Sequence, residues 1–305
     1  MFFRNLTLFR FPQNIGKSMK SLEKDLDSQR LRACGPLELA TRGFVSPFGR
    51  DSEDLLHQTG AFSLLAMGTE ERLLPSVVVN EELAARLAKI NEKEGRRIGA
   101  KERKRLKEEV ISELLPRAFI RPSRIFAYLD AENGWFVVDS ASRKAAEDAV
   151  SQVRDALGSF PAVPMAPEES LRSLMTDWLI NGKLPKGLAL GEECELRDPA
   201  EAGAIVRCRR QDLESDEVRE HLKSGKQAYQ LGLMFDDRMS FVLGEDLVVR
   251  KLKFLDIVLD ELGEGTAESA RAELDASFAL MTLELKNLFE HFEQWFGLPR
   301  PGDRG

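Results

Sequence analysis

The chain has 305 residues, of which 43% are hydrophobic and 31% are charged, with a formal net charge of −7. Its length suffices for one large domain or two modest ones, and its composition excludes collagen-like, low-complexity and membrane-spanning chains, because no apolar run approaches about 18 residues. The three cysteines have no C-x-x-C spacing, which favours a soluble protein of the reducing cytoplasm.

Four strands and a capped helix are predicted in the first half of the chain. Apolar patterns place the strands at residues 2–11, 61–67, 125–129 and 135–138. The last two are expected to form a hairpin, because Asn133-Gly134 is typical of a tight turn. Ser140 or Ser142 is the expected start of a helix that ends near Leu157.

A helical arm is expected between the second and third of these strands. Pro75 introduces a long helix, but between residues 91 and 105 the only apolar side chains are Ile98 and Ala100, so little surface can be buried there. Residues 89–110 contain nine basic and five acidic residues, a local net charge of +4 in an otherwise acidic chain. We therefore expect a projecting, water-exposed arm that contacts an anionic partner.

The second half is predicted to begin with a short helix at 171–180 and a domain boundary at 181–187. Four strands follow at residues 205–210, 228–235, 239–243 and 247–254. Apolar residues then recur every 3 or 4 positions over 274–295, which predicts a core helix. The alternative is a subunit interface, with Phe278 and Phe292 as its contacts. The predicted fold is α+β, with mostly antiparallel sheets and packed helices.

No catalytic motif is found in the sequence. The string IGKS at 15–18 ends like a phosphate-binding loop but lacks its first glycine, and Gly263 and Gly265 have no third glycine. Asp236 and Asp237 are the candidates for a magnesium site in a metal-dependent nuclease, although adjacent aspartates far more often form turns. The sequence predicts a protein that is not an enzyme and binds no metal or cofactor.

Basic side chains predict contact with a phosphate backbone. Strand periodicity places Arg207 and Arg209 on one face with Arg210 on the other, and places Lys251 and Lys253 together on one face. No helix-turn-helix, zinc finger or RNP motif indicates base reading. The candidate DNA-binding residues are Arg96, Arg97, Lys101, Lys104, Arg105, Arg117, Arg121, Arg207, Arg209, Arg210, Lys251 and Lys253. A protein-binding scaffold whose arm holds an acidic partner is a further alternative.

Six strings follow one another along the chain: LLPRAF at 114–119, VDSASRKAAED at 138–148, LGSFPAVP at 157–164, IVRCRRQDL at 205–213, RKLKF at 250–254 and LDASFALMTLEL at 274–285. In this order they resemble the bacterial recombination-associated protein RdgC family, and the resemblance runs essentially from end to end. Only the extreme C-terminus, residues 297–305, shows no match, and we expect it to be disordered.

The resemblance implies a horseshoe-shaped subunit that forms a ring-shaped homodimer around double-stranded DNA, with single-stranded DNA as a second candidate. It implies that the ring limits access of the RecA recombinase to DNA in the nucleoid. The implied regions are a centre domain at 1–76 and 115–182, an inserted helical tip at 77–114 and a base domain at 183–305. Phe119, between Arg117 and Arg121, is the candidate for the tip-side dimer contact, and its alternative is an ordinary core phenylalanine.

Overall fold

The structure, a computed structural model, describes residues 1–12, 22–200, 203–262 and 269–299. Its strands are β1 (Thr7–Arg10), β2 (Ala40–Val45), β3 (Leu56–Thr59), β4 (Phe62–Leu73), β5 (Phe119–Asp130), β6 (Trp135–Val138), β7 (Val163–Pro164), β8 (Leu188–Arg197), β9 (Ile205–Arg209), β10 (Gln227–Phe235), β11 (Met239–Gly244) and β12 (Val249–Phe254). Its helices are α1 (Leu22–Asp27), α2 (Ser76–Glu94), α3 (Ala100–Leu114), α4 (Arg143–Leu157), α5 (Leu171–Asn181), α6 (Asp216–Lys223), α7 (Asp256–Leu259) and α8 (Ala270–Phe296). The IGKS string, Gly263, Gly265 and residues 300–305 lie outside the described residues.

The fold is α+β with antiparallel sheets, as the sequence predicts. A seven-stranded sheet has the order β2-β4-β5-β6-β1-β7, with β3 paired to β4, and a five-stranded sheet has the order β12-β11-β10-β8-β9. The predicted hairpin is present, because Asp130 pairs with Trp135 across a turn in which Gly134 has a φ of 72°. Within the described part of the chain, no helix is long and apolar enough to cross a bilayer.

Helix ends fall where the sequence supplies capping residues. The side chain of Ser142 accepts a hydrogen bond from the N–H of Ala145 (3.3 Å) at the start of α4, and Gly158 follows its end with a φ of 71°. Ser269 caps α8 in the same way, through the N–H of Ala272 (3.2 Å). Local side-chain chemistry therefore sets where these two helices begin.

The chain divides into two compact units. The larger unit comprises Met1–Ser28, Ser46–Ala66 and Ile125–Gly305, and the smaller unit comprises Gln29–Val45 and Met67–Arg124. Strands β4 and β5 each run from one unit into the other. This division differs from the expected centre, tip and base, because the helical arm shares its unit with other segments and no boundary falls near residue 183.

Helix α8 explains why no boundary falls there. Phe278 packs on Tyr128 of β5 with ring centroids 6.0 Å apart, and Phe292 packs on Phe241 of β11 at 6.1 Å. Because one helix contacts both sheets, residues before and after 183 share a single core.

The prediction that α8 is a core helix is confirmed. Phe278 and Phe292 are 0% and 1% exposed, so their assignment to a dimer interface is corrected: neither side chain is accessible to a second subunit.

The helical arm consists of α2 and α3, which pack on each other in the smaller unit. Gly95 ends α2 with a φ of 63° and donates its N–H to the carbonyl of Asn91 (2.8 Å), and Gly99 precedes α3. The buried side chains of the two helices are Val79, Leu83, Leu106 and Val110. Almost every residue from 91 to 105 is exposed, which confirms a water-exposed helical arm.

Candidate nucleic-acid interface

Four of the predicted basic residues line one groove of the larger unit. The groove has a volume of about 770 Å³. Arg209 ends β9 and Arg210 follows it, whereas Lys251 and Lys253 belong to β12, the strand at the opposite edge of the five-stranded sheet. The structure therefore brings together two basic pairs that are more than forty positions apart in the sequence.

A β-bulge makes the lysine pair of β12 accessible. Between Arg250 and Lys253, β12 has one residue more than the facing stretch of β11, and Lys251 adopts a left-handed φ of 53°. In a regular strand Val249, Lys251 and Lys253 would share one face. The bulge separates them, so that Val249 is buried while both lysines are exposed in the groove.

Arg210 lies on the same groove as Arg209, which corrects the prediction that it occupies the opposite strand face. Strand β9 ends at Arg209, and Arg210 has a left-handed φ of 53°, so strand alternation no longer applies to it. Within the described ranges, neither arginine forms an ion pair, and Lys253 forms none either. These three charges are available to a ligand.

Two glutamates of β8 lie opposite the arginines of β9. Glu193 forms an ion pair with Lys251, and Glu195 accepts a hydrogen bond from Nε of Arg207 (2.5 Å) while also pairing with Arg197. Burial acts to raise the pKa of Glu195, but the hydrogen bonds from the two arginines outweigh it and lower that pKa. Arg207 is thereby partly neutralised.

The sequence analysis missed these glutamates because it did not predict β8. Glu193 and Glu195 are two positions apart, as are Arg207 and Arg209. Matching period-2 charges of opposite sign indicate a cross-strand ladder once both segments are known to be strands. That spacing is the signal from which the pairing could have been predicted.

The smaller unit carries a second set of basic side chains. Lys101, Lys104 and Arg105 are exposed on α3, at spacings that place them on one helix face. Arg105 lies 3.4 Å from Glu109, an exposed pair of the kind that contributes little to stability. This helix face therefore presents its cations to solvent, as predicted.

Local ion pairs partly neutralise the positive charges of two further predicted DNA-binding residues of the smaller unit. Arg96 forms a 2.7 Å ion pair with Glu102, and the hydrogen bond from Arg96 lowers the pKa of that glutamate. Arg121 forms a 2.6 Å ion pair with Glu71. The two remaining predicted residues, Arg97 and Arg117, are exposed. Arg96 and Arg121 are consequently weaker candidates for phosphate contact than the lysines of α3.

Phe119 lies at the surface of the smaller unit. Its side chain is 83% exposed, which excludes the alternative of an ordinary core phenylalanine. The turn before it is held by Arg72, whose guanidinium donates to the carbonyl of Ala118 (3.2 Å). Leu39 and Leu73 of the same unit are also exposed. A large exposed apolar side chain on an ordered turn is a candidate for an interaction surface.

Asp236 and Asp237 form the turn between β10 and β11. Both have left-handed φ values, 48° and 54°, in a short connection between paired strands. Among the residues that the structure describes, no three His, Cys, Asp or Glu side chains are grouped so that they could hold a metal ion.

Comparisons with known proteins agree with the resemblance. The family model described as "Putative exonuclease, RdgC" matches residues 1–298. The protein named Recombination-associated protein RdgC from Xanthomonas campestris pv. campestris (strain B100) is 52% identical over 290 residues, which is 95% of this chain and 95% of the relative. The protein of the same name from Xanthomonas axonopodis pv. citri (strain 306) is also 52% identical over 290 residues, which is 95% of this chain and 96% of the relative. The protein of that name from Xylella fastidiosa (strain 9a5c) is 51% identical over 290 residues, 95% of each chain. The chain belongs to the RdgC family of recombination-associated proteins.

Proposed function

We propose that this protein binds double-stranded DNA through the phosphate backbone without reading its sequence. The observation that carries the proposal is the groove in which Arg209, Arg210, Lys251 and Lys253 meet from two edges of one sheet. Phosphate contacts supply affinity that does not depend on sequence, and arginine and lysine are the side chains that make them. Membership of a recombination-associated family supports DNA as the anionic partner.

The form of the groove favours a duplex over a single strand. It is lined by residues from β9 at one edge of the five-stranded sheet to β12 at the other. Nonspecific single-strand binders stack bases on exposed aromatic side chains. Among the described lining residues the one aromatic is Phe241, which is buried. The groove therefore offers charge without a stacking platform.

The proposal includes a ring-shaped homodimer that encircles the duplex in the nucleoid and limits access of the RecA recombinase to it. A ring of two subunits needs two contacts, and the exposed side chain of Phe119 is suited to one of them. The acidic remainder of the chain favours DNA in a basic hole over DNA on the outer wall.

Binding to random-sequence duplex is expected to weaken steeply with salt, with log affinity falling by about 0.9 per log unit of salt for each phosphate contact. The variant Arg209→Ala/Arg210→Ala/Lys253→Ala is expected to bind at least about tenfold more weakly and to have a shallower slope by about 2.7, because three contacts are lost. Gel shifts over a salt series measure both quantities.

The matched control for this groove variant removes three exposed cations that do not line the groove, with the substitutions Lys183→Ala, Lys186→Ala and Arg219→Ala. It is expected to bind nearly as wild type does, because charges far from the phosphates are screened. Equal losses in the two triple variants would mean that net charge alone, and not the groove, determines binding. A slope near zero in the wild type would overturn the proposal itself.

Replacing Lys101, Lys104 and Arg105 together by alanine is expected to weaken DNA binding without unfolding the protein. The three side chains are exposed, so each substitution is expected to change stability by no more than about 0.5 kcal/mol. Alanine also preserves the helix. Gel shifts and melting curves of the triple variant provide the two measurements. Unchanged affinity would place the arm outside the DNA site and leave the groove as the interface.

We propose binding without hydrolysis, and a nuclease assay separates this from the metal-dependent alternative. End-labelled linear duplex is incubated with the protein and magnesium. If the wild type releases labelled nucleotides and the double variant Asp236→Asn/Asp237→Asn does not, the protein is a nuclease that uses these two aspartates. Salt-dependent retention of intact duplex would count against both the nuclease and the protein-binding scaffold.

A further inference from the structure

One of the four groove cations already has a carboxylate partner. Nζ of Lys251 forms an ion pair with Oε2 of Glu193, and both residues line the groove. We propose that this ion pair is a latch across the groove, in which Glu193 holds Lys251 away from phosphate and thereby lowers the affinity for DNA. The inference rests on the proposed function of the groove as the phosphate-binding surface.

The topology of the sheet shows that the pair spans the groove. Strands β8 and β12, which carry Glu193 and Lys251, are separated by β10 and β11. Three inter-strand spacings amount to about 14 Å in a flat sheet, which is close to the full reach of an extended lysine and an extended glutamate. The ion pair therefore crosses β10 and β11 and joins the β8 side of the groove to the β12 side.

The backbone fixes both partners of the latch. A Cβ placed on Gly232 of β10 would lie 2.9 Å from the carbonyl oxygen of Glu193, so only glycine allows β10 to approach β8 this closely. The bulge in β12 sets the direction of Lys251. The side chains of Glu193 and Lys251 are 30% and 56% exposed, so that solvent screens the pair only in part. The latch is therefore built into the sheet.

To contact Lys251, a phosphate would have to replace the Glu193 carboxylate and would then lie close to that negative charge. Both effects oppose this contact, so Lys251 stays paired with Glu193 in the wild-type complex. The amide of a glutamine retains the shape of the side chain while removing its charge. Glu193→Gln is therefore expected to release Lys251 as an additional phosphate contact.

Glu193→Gln in the full chain is expected to bind a random-sequence duplex about 5–10-fold more tightly than wild type, with a salt slope steeper by about 0.9. Glu192→Gln is the matched control. It removes the same charge from the lining of the same groove, but Glu192 holds no cation within the described part of the chain. Its affinity is expected to rise by no more than about twofold. Equal gains in the two variants would overturn the latch.

A double-mutant cycle tests the latch directly. Lys251→Ala is expected to cost about twofold or less in the wild type, where Glu193 occupies the lysine, and about tenfold in the Glu193→Gln background, where the lysine is free. Lys253→Ala, whose lysine has no such partner among the residues that the structure describes, is expected to cost the same in both backgrounds. Melting curves establish that each variant is folded.

The two possible failures give different results. If Lys253→Ala weakens binding in both backgrounds but Lys251→Ala has the same effect in both, the groove binds DNA and the latch is wrong. If Lys253→Ala has no effect in either background, the groove is not the phosphate-binding surface, and the proposed function of the groove fails together with the latch.

Discussion

Replacing Phe292 by alanine is expected to lower the free energy of unfolding by about 3–5 kcal/mol, because removing a fully buried ring leaves a cavity. Its ring contacts those of Phe241, Phe289 and Phe296, with centroid distances of 6.1, 6.3 and 5.1 Å. Neighbours that belong to a sheet and to the same helix cannot readily collapse into the space. Urea denaturation measures the change as a lower midpoint with an unaltered m value.

Leu283→Ala is the control for this prediction. Leu283 lies on the same helix but is 60% exposed, so its replacement is expected to change the unfolding free energy by no more than about 0.5 kcal/mol. If Phe292→Ala left unfolding unchanged and altered only self-association, Phe292 would be an interface residue after all. The packing of its ring within one chain is the reason to expect the opposite.

The apolar period of α8 was sufficient to predict the helix and its buried face. Such a period shows that one face of a helix is covered, but it does not show whether the cover is the same chain or a second one. The sequence therefore left the core and interface interpretations of Phe278 and Phe292 both open. Only the position of the two sheets around α8 decides between them.

Strand β8 could not be predicted from local patterns. Its sequence LALGEECELR contains Gly191 and three glutamates, residues that are depleted in strands. Hydrogen bonding to β9 on one side and β10 on the other overrides this weak propensity. Because β8 carries the latch residue Glu193, the carboxylates of the groove were missed with it.

The basic groove was predicted in its residues but not in its geometry. Period-2 alternation correctly put Lys251 and Lys253 on one face, although it gave no indication of the bulge that separates them from Val249. A bulge arises from the register between two strands, and one strand's own sequence does not specify it.

Phe119→Ala is expected to reduce retention on closed-circular duplex while leaving the melting temperature near that of the wild type. Because the side chain is 83% exposed in the single chain, its removal creates no cavity. An aromatic anchor at the centre of a small contact is worth about 2 kcal/mol or more, so the ring contact it forms should weaken by at least about 30-fold.

The measurement exploits topology. A closed ring cannot slide off a closed circle, whereas an opened ring dissociates from the circle and from linear duplex alike, so the variant should lose the difference between the two substrates at moderate salt. Ile205→Ala, which removes an exposed apolar side chain from the larger unit, is the control and should retain that difference. A large fall in melting temperature would assign Phe119 to the core. Undiminished retention on the circle would show that a ring closes through another surface.

The hydrogen bond from the guanidinium of Arg72 to the carbonyl of Ala118 is a reason to expect the loss of retention. It orders the turn before Phe119 in the single chain, and so it reduces the conformational entropy that is lost when a partner binds.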